Sequence, residues 1–508
     1  MRIRFKRLVC FLASALLAAV SLTACASGGG GGGEGGGGGS GPGPNPGRVR
    51  PPQHIEDYII PEFDQSLKLD IVAWHGPAYQ TDLYSPSDGE YGRINASHQL
   101  RFKQEGWNQV GDAGYNVIVP LWMDAGLAYS EGQIREWLDF AQNAGVKVII
   151  SDFDMSDHRS NNGLGAENLN KPANTKNLYK YAGHPAFYGL FIIDEAPLNK
   201  QSAVAGKVAE IKGMMNAGTF PKVPLFSNTY VQVHDSLPWT WETQVTNYID
   251  NVKPDLFCYD MYSLKEDGSI DERFFHALST ARYISKQKGV QAWNFMLTSG
   301  SAISSYTRYR YCSDRDIRWQ TMCYMAYGYD ALIHYQYGIE FNQYPSAATI
   351  DNDGNPTQLY RDIQKVNREV RMWDYVYKNF EWLGTAALKG GASASAGSLI
   401  DGIPAKYRMN AADVRGVKSI TSTQDIIIGS FADANLNDGI MLAGATDPFR
   451  QKTASVTVEF DSRYAGVMVF GKDMTARGEA EIIGLENGFA TFTLEPGDGV
   501  FLVPITWR

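Results

Sequence analysis

The chain has 508 residues, 44% of them apolar, and a formal net charge of −9, so it is long enough to bury a large core. Its acidic balance and lack of basic clusters exclude a nucleic-acid partner. Its five cysteines show neither a disulfide framework nor a Cys-x-x-Cys or Cys/His metal spacing.

Residues 1–25 read as a secretory signal. Met1 to Arg7 is basic, Leu8 to Leu22 is apolar, and the apolar part is too short for a lasting membrane span. The ending Leu22-Thr23-Ala24-Cys25 resembles the bacterial lipobox, which implies cleavage before Cys25 and lipidation of that residue. Residues 26–55 are Gly/Pro-rich and have almost nothing to bury, so a disordered tether is expected. Ala26-Ser27 lacks the Asp that commonly retains lipoproteins at an inner membrane. The expected location is therefore extracytoplasmic, with a lipid anchor in a bacterial outer membrane or cell surface.

Between residues 56 and 383, apolar runs alternate with stretches of helical period. Strands are predicted at Leu69–Trp74, Asn116–Trp122, Val146–Phe153, Phe187–Ile193, Val223–Ser227, Asp255–Tyr259, Gln291–Met296 and Ala331–Tyr335. Strict alternation of this kind makes a parallel sheet, and eight repeats fit a closed (β/α)8 TIM barrel. No Gly-x-Gly-x-x-Gly follows any strand, which disfavours an open dinucleotide-binding sheet. Residues 384–508 change texture to short apolar runs separated by Gly, Asp and Asn, predicting a small C-terminal all-β sandwich domain. The fold class is thus α/β with an appended β module.

Barrel chemistry gathers at the carboxyl ends of the strands. Those ends carry Trp74 and His75, Trp122, Asp154, Asp194 and Glu195, Asn228 and Tyr230, Asp260 and Tyr262, Trp293 and Asn294, His334 and Gln336, with Glu340 just beyond. Asp194-Glu195 also suits the acidic start of a helix, but a surrounding barrel favours the rim reading. Carboxylates with aromatic faces, His and Asn in one cleft suit glycoside hydrolysis. A glycosidic oxygen leaves poorly without a proton from a carboxylic acid held neutral, and a second carboxylate must attack, activate water or steady the cationic sugar. Asp152, Asp154 and Asp157 have a spacing that suggests calcium, but alternate strand residues point to opposite sides, so neither a metal nor a cofactor is expected.

The stretch Gly183-His184-Pro185-Ala186-Phe187-Tyr188-Gly189 leading to Asp194-Glu195-Ala196-Pro197 resembles clan A glycoside hydrolases. Arg318-Trp319-Gln320 and Ile333-His334-Tyr335-Gln336-Tyr337-Gly338 resemble the last helix and strand of β-galactosidase-like, family 42-type barrels. The resemblance implies that Glu195 is the acid/base. It also implies a nucleophilic Glu at the end of the seventh strand, where this chain reads Asn294-Phe295-Met296-Leu297 instead. Asp260 is the favoured second carboxylate. Alternatively, Asp194 and Glu195 resemble the adjacent pair of hexosaminidase- or chitinase-like enzymes, in which the substrate's own acetamido group attacks. A further alternative is a non-catalytic, glycan-binding surface lipoprotein. The partners expected are a glycan and, through Cys25, a membrane; oligomeric state is left open.

Overall fold

The computed structural model describes residues 55–77, 100, 103–122, 131–151, 181–196, 198–231, 240–302, 308–338, 349–351, 353–391 and 398–508. Seven parallel strands come first: β1 Asp70–Trp74, β2 Val117–Trp122, β3 Lys147–Ser151, β4 Phe187–Ile193, β5 Leu225–Tyr230, β6 Leu256–Asp260 and β7 Gln291–Leu297. A short hairpin follows, β8 Ser301–Ala302 with β9 Arg308–Tyr309, and then the eighth barrel strand, β10 Ala331–Tyr335. These eight parallel strands form a closed ring in chain order, with β10 pairing back onto β1. Helices α1 Gln104–Asp112, α2 Glu131–Asn143, α3 Gln201–Asn216, α4 Trp241–Val252, α5 Phe274–Lys288, α6 Asp314–Ala326 and α7 Gln358–Arg371 follow strands along the chain, and a short α8, Asp374–Lys378, follows α7.

The barrel forms because each strand has two apolar faces. Val72 and Trp74, Val119, Phe226, Cys258, Phe295 and Ile333 fill the interior. The alternating positions, such as Ile71, Ala73, Phe257 and Tyr259, pack outward against the helices. Strands buried on both faces read as continuous apolar runs, which made them legible. The predicted strands fall in place, with ends moved by a residue or a few: β3 stops at Ser151 and β5 begins at Leu225.

The remaining strands are β11 Phe380–Leu388, β12 Val417–Ser422, β13 Ile426–Asp433, β14 Asp438–Gly444, β15 Ala454–Phe460, β16 Gly466–Phe470, β17 Glu481–Gly484, β18 Phe489–Leu494 and β19 Gly499–Ile505. They make an antiparallel six-stranded sheet, β11-β13-β14-β19-β16-β17, and a three-stranded sheet, β12-β15-β18. Ile428, Leu442 and Leu502 of the larger sheet share a core with Val456, Val458 and Phe492 of the smaller one, making a sandwich. The other face of the larger sheet, through Phe431, Met441 and Phe501, belongs to the same apolar cluster as the barrel helices. Strand β11 runs through the expected domain boundary at 383/384.

Candidate active site

The site is built where β4, β5 and β6 end. Strand β4 shifts register against β5 between Phe191 and Ile193, and the chain then turns at Asp194 and Glu195. Glu195 has φ 45°, in the left-handed region that non-glycine residues seldom occupy, and such strain collects at functional positions. Its side chain is exposed. The pair does not cap a helix: a short 3-10 turn, Leu198–Lys200, intervenes, and Lys200 is the N-cap of α3.

Asn228, near the end of β5, holds the turn. Its Oδ1 accepts from the Glu195 N–H at 3.3 Å, and its backbone carbonyl accepts from the Ala196 N–H at 2.8 Å. Its Nδ2 donates to Asp194 Oδ1 at 2.9 Å and to both oxygens of Asp260, at 3.0 and 3.2 Å. One amide therefore uses both of its polar atoms to hold two carboxylates and the strained peptide.

Asp260 closes β6 and is buried. Burial pushes its carboxyl well above the usual range, the charges of Glu195 and Asp194 push it further, and the Asn228 hydrogen bond only partly opposes them. Its side chain is hydrogen-bonded to that of Glu195. Two carboxyl groups in direct contact share a proton, because both cannot ionise cheaply at that range.

A cleft of about 360 Å³ opens above this pair, with Glu195, Asp260, Tyr230, Tyr262 and Tyr309 on its walls. Tyr262 stacks on Tyr335 with centroids 4.7 Å apart and meets Tyr309 edge-on at 5.6 Å. Burial and the charges of Asp271, Glu195 and Asp260 raise the Tyr309 hydroxyl to about 12, so it stays a neutral donor.

The structure thus brings together Asp194, Glu195, Asp260, Tyr230 and Tyr262. Other expected substrate contacts lie elsewhere, and these expectations are corrected. Asn228 is fully buried and holds protein groups instead. Trp74 is 2% exposed and forms the barrel floor against Phe295, while the buried His75 ring stacks on it at 4.7 Å. Trp293 points down the interior, with its Nε1 donating to Gln291 at the foot of β7. Asn294 and His334 fall on the alternate, outward face. Asn294 lies beside Tyr324, and His334 is paired through Nδ1 with the Tyr115 hydroxyl at 3.1 Å. Burial and the nearby Arg371 push the His334 ring down to about 3, so it stays neutral. Gln336 is buried, and its carbonyl accepts from Thr349. Trp122 closes β2; Cys25, Asp152, Asp154, Asp157 and Glu340 lie outside the described residues.

Sequence reasoning missed Tyr309 and the basic residues beside it. The signal was the alternation Tyr306-Thr307-Arg308-Tyr309-Arg310-Tyr311, a strand pattern inside a stretch passed over between β7 and α6.

No protein-family model and no curated protein matches the sequence. Among solved structures, α-L-fucosidase isoenzyme 2 from Paenibacillus thiaminolyticus is similar with a TM-score of 0.50 at 9% identity, covering 86% of this chain and 99% of that one. A glycoside hydrolase family 5 structure from Bacteroides vulgatus has a TM-score of 0.49 at 10% identity, covering 88% and 90% of the two chains. The likeness is one of fold.

Proposed function

We propose that the protein is a glycoside hydrolase acting on a poly- or oligosaccharide, with Glu195 as general acid/base and Asp260 as its carboxylate partner. The observation that carries this reading is the hydrogen-bonded Glu195–Asp260 pair opening into an aromatic cleft at the carboxyl end of a barrel. Glu195 is the exposed member and reaches the glycosidic oxygen. Asp260 lies buried behind it, where burial and the charges of Glu195 and Asp194 raise its affinity for a proton. Tyr262 and Tyr309 supply ring faces and hydroxyls for a sugar. The lipobox supports anchoring at Cys25 in a bacterial outer membrane or cell surface.

The adjacent carboxylates Asp194 and Glu195, held at one strained turn by Asn228, favour a second reading. In it the substrate's own acetamido group attacks, Asp194 orients it and Glu195 gives the proton. Substitutions Glu195→Gln and Asp260→Asn separate the readings when assayed on glycans with and without acetamido groups. Loss of the acid should lower turnover by about 10²–10⁴-fold. Turnover confined to acetamido sugars selects the second reading, and product anomer analysis assigns the stereochemical course. A wild-type protein that binds glycans but cleaves none of them leaves only a binding lipoprotein.

A further inference from the structure

A second cleft, of about 420 Å³, opens at the foot of the barrel, where β7 begins at Gln291 and Asp330 leads into β10. It lies at the opposite end of the strands from Glu195. The carboxyl half of α5, the residues after α6 and the start of β11 line it, with Arg282, Lys286, Gly328 and Trp382 among them.

Positions 282 and 286 are one helical turn apart on α5, so their side chains share a face. Both meet the same indole. The Arg282 guanidinium carbon lies 4.5 Å from the centre of the Trp382 ring, and the Lys286 ammonium lies 5.0 Å from it. Trp382 is fixed in turn. Its Nε1 donates to Thr385 Oγ1 at 2.9 Å, and a Cβ on Gly328, which has φ 68°, would come within 2.3 Å of its side chain.

Arg282 is 8% exposed, yet it makes no ion pair among the described residues. Its Nε donates to the Tyr327 and Gly328 carbonyls at the end of α6, both at 3.0 Å. The donors on Nη1 and Nη2 have no protein partner and are not sealed from solvent, so they open onto the cleft that Arg282 lines. Lys286 donates to the Trp382 carbonyl and likewise has no carboxylate. Burial and the charge of Arg282 lower its hold on its proton, and Glu381 only partly opposes them. Of the other charged residues in the lining, Lys378, Asp330 and Glu381, none pairs with either cation, and Asp330 Oδ2 accepts from the Ala292 N–H at 2.9 Å. Ring face, carbonyls and the partial negative charge at the end of α5 steady the two cations without supplying an anion.

We infer that this cleft is a second binding site, for a phosphate or sulfate group, with the Nη donors of Arg282 and the ammonium of Lys286 as its ligands. The planar fork of Arg282 suits two oxygens of such a group, and Lys286 adds a point charge. The cleft is roomy enough for the free ion or for a small ester that carries it. Its occupant would bind α5, the end of α6 and β11 together, so it stabilises the fold and takes no part in turnover. The inference is independent of the glycan cleavage proposed above.

The test is calorimetric titration of the full chain with inorganic phosphate, inorganic sulfate and glucose 6-phosphate, in chloride buffer of constant ionic strength. At least one probe should bind saturably, at one site per chain. A higher affinity for glucose 6-phosphate than for phosphate assigns an ester as the ligand, and the reverse order assigns the free ion. Arg282→Lys keeps the charge but loses the fork, and Lys286→Met removes the second cation; each should weaken binding by roughly ten-fold. A melting curve in chloride checks that each variant is folded. If Arg282→Lys is not, because its contacts at the end of α6 are lost, the exposed Lys286 carries the test alone. No saturable binding of any probe, or binding that neither folded variant weakens, overturns the inference. So does a melting temperature that rises linearly with phosphate or sulfate and equally in wild type and Lys286→Met, since that is salt exclusion from the surface and not a site.

Discussion

A single amide, Asn228, explains how three acidic side chains coexist at one rim. It donates to Asp194 and Asp260 and accepts from the strained Glu195 peptide, while burial and the charges of Glu195 and Asp194 raise the proton affinity of Asp260. That shift has a consequence for stability. The folded-state affinity of Asp260 for a proton is raised above the unfolded value of about 3.9. Below about pH 4 both states hold the proton and the group has no effect; as pH rises, the unfolded chain releases it while the folded one resists. Stability should therefore fall as pH climbs from about 4 through the folded-state value. Asp260→Asn keeps the shape and the Asn228 contact but does not titrate. Its melting temperature should exceed the wild type's near pH 7, and the gap should close as the pH is lowered to about 4. A gap that does not change with pH would mean that Asp260 is already ionised in the folded protein.

Among the elements, the β8–β9 hairpin matters most for the cleft, and it is fastened from behind. Arg310, next after β9, pairs with Asp316 at 2.6 Å and Asp447 at 3.0 Å, all three side chains being 7–8% exposed. Asp316 also completes the capping box of α6 with Ser313, so one guanidinium ties the cleft wall, a barrel helix and the β module. Arg310→Met should leave two buried carboxylates facing each other without a cation and cost about 3–5 kcal/mol, read as a lowered urea midpoint. Adding Asp447→Asn to it should recover part of that loss. An unchanged midpoint in Arg310→Met would show that water already solvates the two carboxylates. This element was also where reading the sequence failed. Barrel strands announced themselves because both of their faces are apolar, β-module strands such as β15 and β18 because apolar and polar residues alternate between turn residues, and the strand-end carboxylates followed from the barrel. A two-residue strand such as β9 carries too little apolar pattern to register, and β12, with Lys418, Ser419 and Thr421 exposed and its alternation broken between Lys418 and Ser419, is little better. Facing direction failed for a different reason. The end of a strand was legible, but not which alternate residue points into the mouth, so Asn294 and His334 were assigned to a rim from which they face away. Arg318 and Gln320, part of the family resemblance, are likewise structural: Arg318 forks onto Glu369 at 2.7 and 2.9 Å, and Gln320 binds the Leu297 backbone through N–H and carbonyl.

At the scale of the whole molecule, barrel and β module behave as one body because they share an interface too intimate for separate folding. Helix α6 lies directly on the larger sheet. A methyl group on Gly429 of β13 would come within 2.3 Å of the Ala326 carbonyl, and one on Gly499 of β19 within 2.8 Å of Met322. The Cys323 thiol donates to the Gly444 carbonyl of β14 at 3.8 Å. Inter-domain surfaces in jointed proteins are modest in area and relatively polar. Here α6 is buried along nearly its whole length, Ile317, Trp319, Met322, Tyr324 and Met325 included. Removing the module would expose an apolar sheet-facing stripe on α6 and leave Arg310 without Asp447. A chain ending at Asn379, just before β11, should therefore fail to give soluble folded protein. The full chain should melt in one transition, with calorimetric and van't Hoff enthalpies in agreement. Two separated heat-absorption peaks, or a soluble barrel with a native near-ultraviolet circular dichroism spectrum, would show that the interface is an accessory to two independent folds. Gly429→Val offers a check that leaves the chain length unchanged: its side chain cannot fit against Ala326 without displacing α6. It should therefore lower the single melting temperature of the whole molecule, not of the β module alone.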